Sequence, residues 1–134
     1  MIGGVTGIER YASGGPWEAG FGYSRAVRAG ELVLVAGTTA IDEDGVVRGV
    51  GDAGAQAAFA LDNVAAALAQ AGARMDQVVQ TRMFVTDIAR AEEIGRAHGE
   101  RFGEHPPVST MVQVAALIDP RMLVEIEAVA HLGA

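Results

Sequence analysis

A chain of 134 residues is long enough for one hydrophobic core and too short for two ordinary domains. Half of its residues are apolar, its net charge is −7, and its ten basic residues are scattered arginines, so no basic stripe is available for a nucleic-acid backbone. The absence of cysteine and lysine excludes thiol catalysis, thiolate metal sites, lysine Schiff bases and lysine-dependent phosphate loops.

The opening segment, residues 1–20, is rich in glycine and predicts an irregular N-terminal arm. Trp17, within this arm, is expected to pack on the domain or on a neighbouring subunit more readily than to contact a ligand. Met1 to Gly7 lack the charged and apolar run of an export signal, and no later stretch approaches the roughly 20 apolar residues of a membrane span. We therefore expect a cytoplasmic protein with a single domain over residues 21–134.

The rest of the chain predicts strands and helices in the order ββ(β)αβαββ. Segments rich in β-branched and apolar residues predict the strands, at Tyr23 to Val27, Leu32 to Ala36, Val46 with Val47, Val78 to Val85, Thr110 to Leu117 and Leu123 to Leu132. The early strands are expected to pair antiparallel. Asp52 can cap a helix that runs to about Ala71 and ends at Gly72, and a second helix is predicted from about Arg90 to Phe102.

This order predicts an α+β domain, a six-stranded sheet with both helices on one face. The other face would leave apolar positions such as Val112, Val114, Val124 and Ile126 in need of a cover. Further copies of the chain could supply that cover, so we expect an oligomer.

The last predicted strand carries the clearest candidate for catalysis. Glu125 and Glu127 lie on one face of that strand with Cα atoms roughly 6.5 to 7 Å apart, so each carboxylate would raise the other's pKa if both were partly buried. A carboxylate with a raised pKa suits a general base. The alternative is that one or both pair with Arg82 on a neighbouring strand or face water, and for Glu127 alone this alternative is favoured.

Other chemistries have weak signals. His98, His105 and His131 have no recognised ligand spacing, so no metal is expected. Neither a GxSxG nucleophile elbow nor a GxGxxG fingerprint is present, which argues against a serine triad and a dinucleotide cofactor.

Several short motifs, taken together, resemble the RidA (YjgF) family in order and spacing from about residue 22 to residue 131. They are Tyr23-Ser24-Arg25-Ala26-Val27, Val35-Ala36-Gly37, Gln56 with Leu61-Asp62-Asn63-Val64, Phe84-Val85-Thr86-Asp87 and Val124-Glu125-Ile126-Glu127-Ala128. The resemblance implies a chorismate-mutase-like fold and a homotrimer whose sheets form a central barrel. It also implies intersubunit clefts for small organic molecules, hydrolysis of enamines and imines to 2-keto acids and ammonia, and no cofactor.

The resemblance also implies particular site residues. The glutamate that holds the attacking water falls on Glu125, the pocket tyrosine on Tyr23 and a small residue at a strand end on Gly37. The arginine that binds the substrate carboxylate should stand two positions after Pro107, where this chain has Ser109. A serine hydroxyl cannot form two parallel charged hydrogen bonds, so an anchor worth about 1.5 to 3 kcal/mol is lost at that position.

The cleft implied by the resemblance differs at two further positions. Met111 stands where the family usually has cysteine, and Gly95 stands where it commonly has asparagine. Three functions stay open. The first is hydrolysis of a substrate without the standard carboxylate, with Ser109 or Thr110 giving neutral hydrogen bonds; the second is a noncatalytic binding or regulatory module. The third, a ribonuclease or translation inhibitor, is disfavoured by the acidic charge.

Overall fold

The computed structural model describes residues 7–133, and in that part of the chain six strands and three helices surround one core. The strands are β1 (Ile8–Tyr11), β2 (Ala26–Ala29), β3 (Leu32–Thr38), β4 (Val78–Val85), β5 (Val108–Gln113) and β6 (Val124–His131). The helices are α1 (Glu18–Phe21), α2 (Ala53–Gln70) and α3 (Ala91–Phe102), and short 3₁₀ turns lie at Met75–Gln77 and Ile88–Arg90.

The strands form one mixed sheet in the order β1-β2-β3-β6-β4-β5. Neighbouring strands are antiparallel, as expected for the early strands, except that β4 and β5 run parallel. A parallel pair needs a crossover connection, and α3 supplies it. The α+β class with a six-stranded sheet is therefore confirmed.

The core lies between one face of the sheet and the helices α2 and α3. Along β6 buried and half-buried residues alternate, because successive side chains of a strand point to opposite faces. The buried set of β6, Val124, Ile126, Ala128 and Ala130, packs in one cluster with Leu61, Val64 and Leu68 of α2 and with Ile94 and Phe102 of α3.

The expectation that Val124 and Ile126 need an external cover is wrong, because both side chains face the helices and are fully buried. Val112 is 42% exposed and lies on the sheet face away from the helices, which we call the open face. Leu32 and Leu34 on β3 are exposed on that face as well. The open face therefore carries exposed apolar residues, although they differ in part from those expected.

The sixth strand comes from the predicted arm. Ile8–Tyr11 pairs antiparallel with β2, so the expectation of an irregular arm is wrong for these residues, as it is for the short helix Glu18–Phe21. The arm's first six residues lie outside the described part. The strand predicted at Val46 and Val47 is also wrong, because Val47 forms only an isolated bridge to Ile41.

The helix α2 follows the sequence closely. The Asp52 carboxylate accepts a hydrogen bond from the Ala55 N–H at 3.0 Å and so caps the helix, as predicted. Gly72 follows the helix with a φ of 84°, a conformation that glycine adopts at little cost. Neither α2 nor any other helix in residues 7–133 is long and apolar enough to cross a membrane.

Candidate functional site

A broad groove of about 960 Å³ lies where β3 and β6 meet the segment that leads into α1. We call it the site groove. Its walls include Trp17, Tyr23, Arg25, Gly37 and Glu125. It therefore brings together three of the residues implied by the family resemblance, Tyr23, Gly37 and Glu125.

The Glu125 carboxylate lies directly over Gly37. Between Val35 and Thr38 the strand β3 has one more residue than the facing stretch of β6, which is a β-bulge, and Gly37 lies in it. A Cβ atom added to Gly37 would stand 2.8 Å from the Glu125 Cδ and 3.1 Å from its Cγ. A side chain at position 37 would therefore force the Glu125 carboxylate out of the place it occupies.

The environment of Glu125 favours its protonated form. Burial raises the pKa of the Glu125 carboxyl, the positive charge of Arg25 opposes that rise, and the nearby negative charge of Glu127 adds to it. The sequence-based expectation of a raised pKa is thus met for Glu125, with burial as the largest cause. A carboxylate of this kind can take a proton from water and return it.

Two side chains of α2 fix the strand ends that form the groove. Gln56 is fully buried, donates to the Arg121 carbonyl at 2.8 Å and accepts from the Leu123 N–H at 2.7 Å, two residues before Glu125. The amide of Asn63 donates to the carbonyls of Thr39 and Ile41 just after β3. The two amides therefore hold both walls of the site groove against the helix.

Arg25 stands beside the Glu125–Gly37 pair. Its Nη2 donates to the Gly37 carbonyl at 2.6 Å, and its guanidinium carbon lies 5.9 Å from the centre of the Tyr23 ring. Its backbone is fixed on both sides, by a bond from its N–H to the Tyr11 carbonyl and by a bond that its carbonyl accepts from Ala36. This residue is a member of the groove that the sequence analysis did not assign to the site.

A folded loop brings Trp17 to the rim of the groove. The Glu18 carboxylate, only 5% exposed, accepts hydrogen bonds from the Ser13 N–H at 2.9 Å and the Ser13 hydroxyl at 2.5 Å. Trp17 is half-buried and contributes to the lining of the groove. The loop position leaves its indole available to either role considered from the sequence.

Ser109 and Met111 lie on the helix side of β5, away from Glu125 within one chain. Met111 packs against the core, whereas the Ser109 Oγ is 2.8 Å from the Thr81 hydroxyl. The same hydroxyl is 2.8 Å from His98 Nε2. Because a hydroxyl has one proton, Thr81 donates to one of these partners and accepts from the other.

The surroundings of His98 favour its neutral form. Burial lowers the pKa of this imidazole below its ordinary value of 6.5. The Phe102 ring lies against it, with centroids 4.6 Å apart. The sequence analysis missed this Ser109–Thr81–His98 network because it depends on the parallel register of β4 and β5, which residue spacing does not reveal.

Thr110 lies on the open face, opposite to its neighbour Ser109. Arg82 on β4 pairs with Thr110, and its Nε is 3.0 Å from the Glu127 carboxylate. The alternative considered for Glu127, pairing with Arg82, is thus confirmed. Glu125 and Glu127 therefore have different roles, since only Glu127 has a cationic side chain in direct contact.

The histidines are dispersed. His98 contacts Thr81, whereas His131 Nε2 lies 3.4 Å from a Glu31 carboxylate oxygen. Across residues 7–133 no three histidine or carboxylate side chains come together in a geometry that could hold a metal ion. The charged and aromatic side chains that line the groove are carboxylates, one guanidinium, the Tyr23 phenol, the Trp17 indole and the Phe21 ring.

Comparison with known proteins agrees with the fold. A family model described as Endoribonuclease L-PSP matches residues 17–132. The chain also superimposes on a crystal structure from Mycobacterium tuberculosis, described as a member of the YjgF/YER057c/UK114 family, with a TM-score of 0.84 and 48% identity over 93% of this chain and 99% of that one. The chain belongs to the RidA (YjgF) family, as its motifs indicated.

Two curated relatives bear on function. An uncharacterized protein of Streptomyces coelicolor is 40% identical over 95% of this chain and 94% of its own length. The 3-aminoacrylate deaminase RutC of Acinetobacter baylyi is 36% identical over 82% of this chain and 86% of its own length. The relatives thus include a deaminase that acts on a small enamine acid.

Proposed function

We propose that this protein is a homotrimer whose intersubunit clefts hydrolyse reactive imines and enamines. The single observation that carries the proposal is the half-buried Glu125 carboxylate, whose pKa is raised by burial, facing a groove beside Gly37 and Tyr23. The similarity to a 3-aminoacrylate deaminase supports the same class of reaction.

In the proposed reaction an enamine first tautomerises to its imine, and Glu125 acts on the water that attacks it. As the water oxygen bonds to the carbon of the protonated imine, the carbon–nitrogen π electrons move to nitrogen and the carboxylate accepts a water proton, giving a neutral carbinolamine. Glu125 then gives that proton to the nitrogen, and it takes the hydroxyl proton as the carbon–nitrogen bond breaks, so ammonia leaves with a carbonyl product and Glu125 releases the last proton to solvent. One water is consumed, and the chemistry needs no redox cofactor.

The open face supports the trimer. Leu32 and Leu34 are 40% and 43% exposed there, and Val112 on β5 is similarly exposed. Exposed apolar side chains of this kind are costly to leave in water, and three copies could bury them in a barrel. In that arrangement the exposed edge strand β5, with Ser109 and Thr110, would complete the site groove of a neighbouring subunit.

A noncatalytic binding module is the second candidate, and Ser109 favours it. This residue replaces the arginine implied by the resemblance, and its hydroxyl is already bonded to Thr81. RNA cleavage is the weakest candidate, because the charged residues that line the groove are carboxylates with the exception of Arg25, and carboxylates repel a phosphate backbone.

The test is ammonia release from 2-aminoacrylate and 2-iminobutyrate generated enzymatically in the presence of the protein. We compare the wild type with Ser109→Arg and, as a control for added charge on β5, with Thr110→Arg. Acceleration by the wild type supports hydrolysis. If only Ser109→Arg is active while the wild type binds pyruvate without turnover, the natural groove is a binding site.

A further inference from the structure

Arg25 is the one basic residue that lines the site groove within the described part of the chain. The acidic residues lining the same groove are Glu18, Asp42, Glu43, Asp44, Glu125 and Glu127. A lone guanidinium inside an acidic groove gives that groove one place where an anionic group is electrostatically favoured.

The guanidinium is only partly satisfied by the protein. Its hydrogen bond within residues 7–133 goes from Nη2 to the Gly37 carbonyl, and its Nε is buried without a hydrogen-bond partner. None of the ion pairs within 4.0 Å among these residues includes Arg25. Charges taken out of water are normally paired, so Arg25 has the unmet bonding capacity of a ligand-binding residue.

Gly37 is the point that relates this cation to the candidate base. The Arg25 Nη2 bonds to the Gly37 carbonyl, while the Glu125 carboxylate covers the Gly37 Cα. Arg25 and Glu125 are thus fixed on one glycine without being in ion-pair contact. A small molecule at this glycine would meet a cation and a carboxylate at once.

We infer that Arg25 binds the carboxylate of the ligand and directs the adjacent nitrogen-bearing carbon toward Glu125. The ligand class is a short monoanionic acid with an imine or amine nitrogen next to the carboxylate-bearing carbon. This inference rests on the proposed function. It makes Arg25, in place of the residue at position 109, the carboxylate anchor of this chain.

Acidic residues at the rim of the site groove explain why the ligand should carry only one negative charge. Asp42 and Asp44 line the groove, and hydrogen bonds from the backbone of Val46 and the side chain of Arg48 hold the pKa of Asp42 below its usual range. Ionised carboxylates at the rim repel a ligand with several negative charges. A ligand with a single carboxylate meets less of that repulsion than a ligand with two or three.

The test compares pyruvate with its uncharged methyl ester by titration calorimetry on the full-length protein. Arg25→Gln should weaken pyruvate binding roughly 10- to 100-fold, because a charged hydrogen-bonding partner is lost, and should change methyl pyruvate binding by less than about threefold. Arg25→Lys should give an intermediate loss, since it keeps the charge without the planar fork. Arg28→Gln, on strand β2 three residues after Arg25 and outside the groove, is the matched control.

The competing role for Arg25 is to moderate the pKa of Glu125. In that case Arg25→Gln shifts the acidic limb of the pH–rate profile upward and leaves the preference for pyruvate over its ester intact. That result, or an equal loss in Arg28→Gln, overturns the inference.

Measuring both binding and turnover distinguishes failure of the Arg25 inference from failure of the proposed hydrolysis. Arg25-dependent pyruvate binding without ammonia release by the wild type keeps the anchor and rejects hydrolysis. Ammonia release with an unchanged KM for 2-aminoacrylate in Arg25→Gln keeps hydrolysis and rejects the anchor.

Discussion

The Glu125 side chain occupies the space over Gly37 where any other residue would place its Cβ. This contact joins a β-bulge in β3 to the candidate base on β6. The carboxylate can take this position because Gly37 has no Cβ atom. The chemistry of the groove therefore rests on a backbone feature as much as on the acid itself.

Gly37→Ala should displace the Glu125 carboxylate and reduce ammonia release by roughly 100-fold, because small misplacements of a catalytic group carry large losses. Steady-state kinetics on 2-aminoacrylate measures the effect. Gly99→Ala is the control, since a Cβ there meets nothing within 4 Å. As an exposed position inside α3, it should gain about 0.5 to 1 kcal/mol in stability with unchanged activity. Full activity in Gly37→Ala would show that the contact is irrelevant to turnover.

Thr81→Val should destabilise the fold by about 1 to 3 kcal/mol, since it leaves the half-buried His98 ring without its hydroxyl partner at nearly constant volume. Urea denaturation followed by circular dichroism gives the value. Thr110→Val makes the same substitution on the exposed face of β5 and should change stability by less than about 0.5 kcal/mol. Equal effects of the two variants would remove the case for a structural Ser109–Thr81–His98 network.

Acid should destabilise the protein through His98. Its pKa is lowered in the folded state, so in the window just below its ordinary value of 6.5 the unfolded chain binds more protons and the free energy of unfolding falls as pH falls. Glu125 contributes a pH dependence of unfolding free energy with the opposite sign. Its raised pKa lets the folded chain bind more protons than the unfolded chain at pH values above the ordinary pKa of 4.5.

The variant His98→Gln isolates the histidine contribution, since Glu125 is present in both proteins. The difference in unfolding free energy, wild type minus variant, should therefore fall as the pH is lowered from about 7 to about 5. Urea midpoints at several pH values measure the difference. Parallel pH curves for the two proteins would contradict a depressed pKa for His98.

Leu34→Glu should dissociate the proposed trimer, because it places a charge on the open face that copies of the sheet are proposed to bury. Sedimentation velocity should show a trimer for the wild type and smaller species for the variant. Val50→Glu, at a 63% exposed residue in the turn before α2, should remain trimeric. A monomeric wild type at micromolar concentration contradicts the proposed assembly.

Helices and strands could be predicted from the sequence where the hydrophobic periodicity and the capping residues agreed. Asp52 and Gly72 bracket the helix α2, and the alternation of β6 places Glu125 and Glu127 on one face. The strand β1 was missed because its pattern is short and exposed, and its stability comes from pairing with β2. Pairing partners of this kind depend on tertiary register, which local propensity does not encode.

The site was predictable only in part, for a related reason. Tyr23, Gly37 and Glu125 were obtained from motif resemblance and lie on one groove. Arg25 was read as part of a motif without a role, because its relation to Gly37 depends on the β3 bulge. The orientation of Ser109 toward Thr81 likewise follows from the parallel pairing of β4 and β5.

The most direct test of the central claim is ammonia release from 2-aminoacrylate by Glu125→Gln and Glu127→Gln at equal protein concentration. Both variants remove one negative charge from the same face of β6, but only Glu125 covers Gly37 while Glu127 pairs with Arg82. We expect Glu125→Gln to lose roughly 100- to 10,000-fold and Glu127→Gln to stay within about tenfold of the wild type. Equal rates for Glu125→Gln and the wild type would contradict the assignment of Glu125 as the catalytic base.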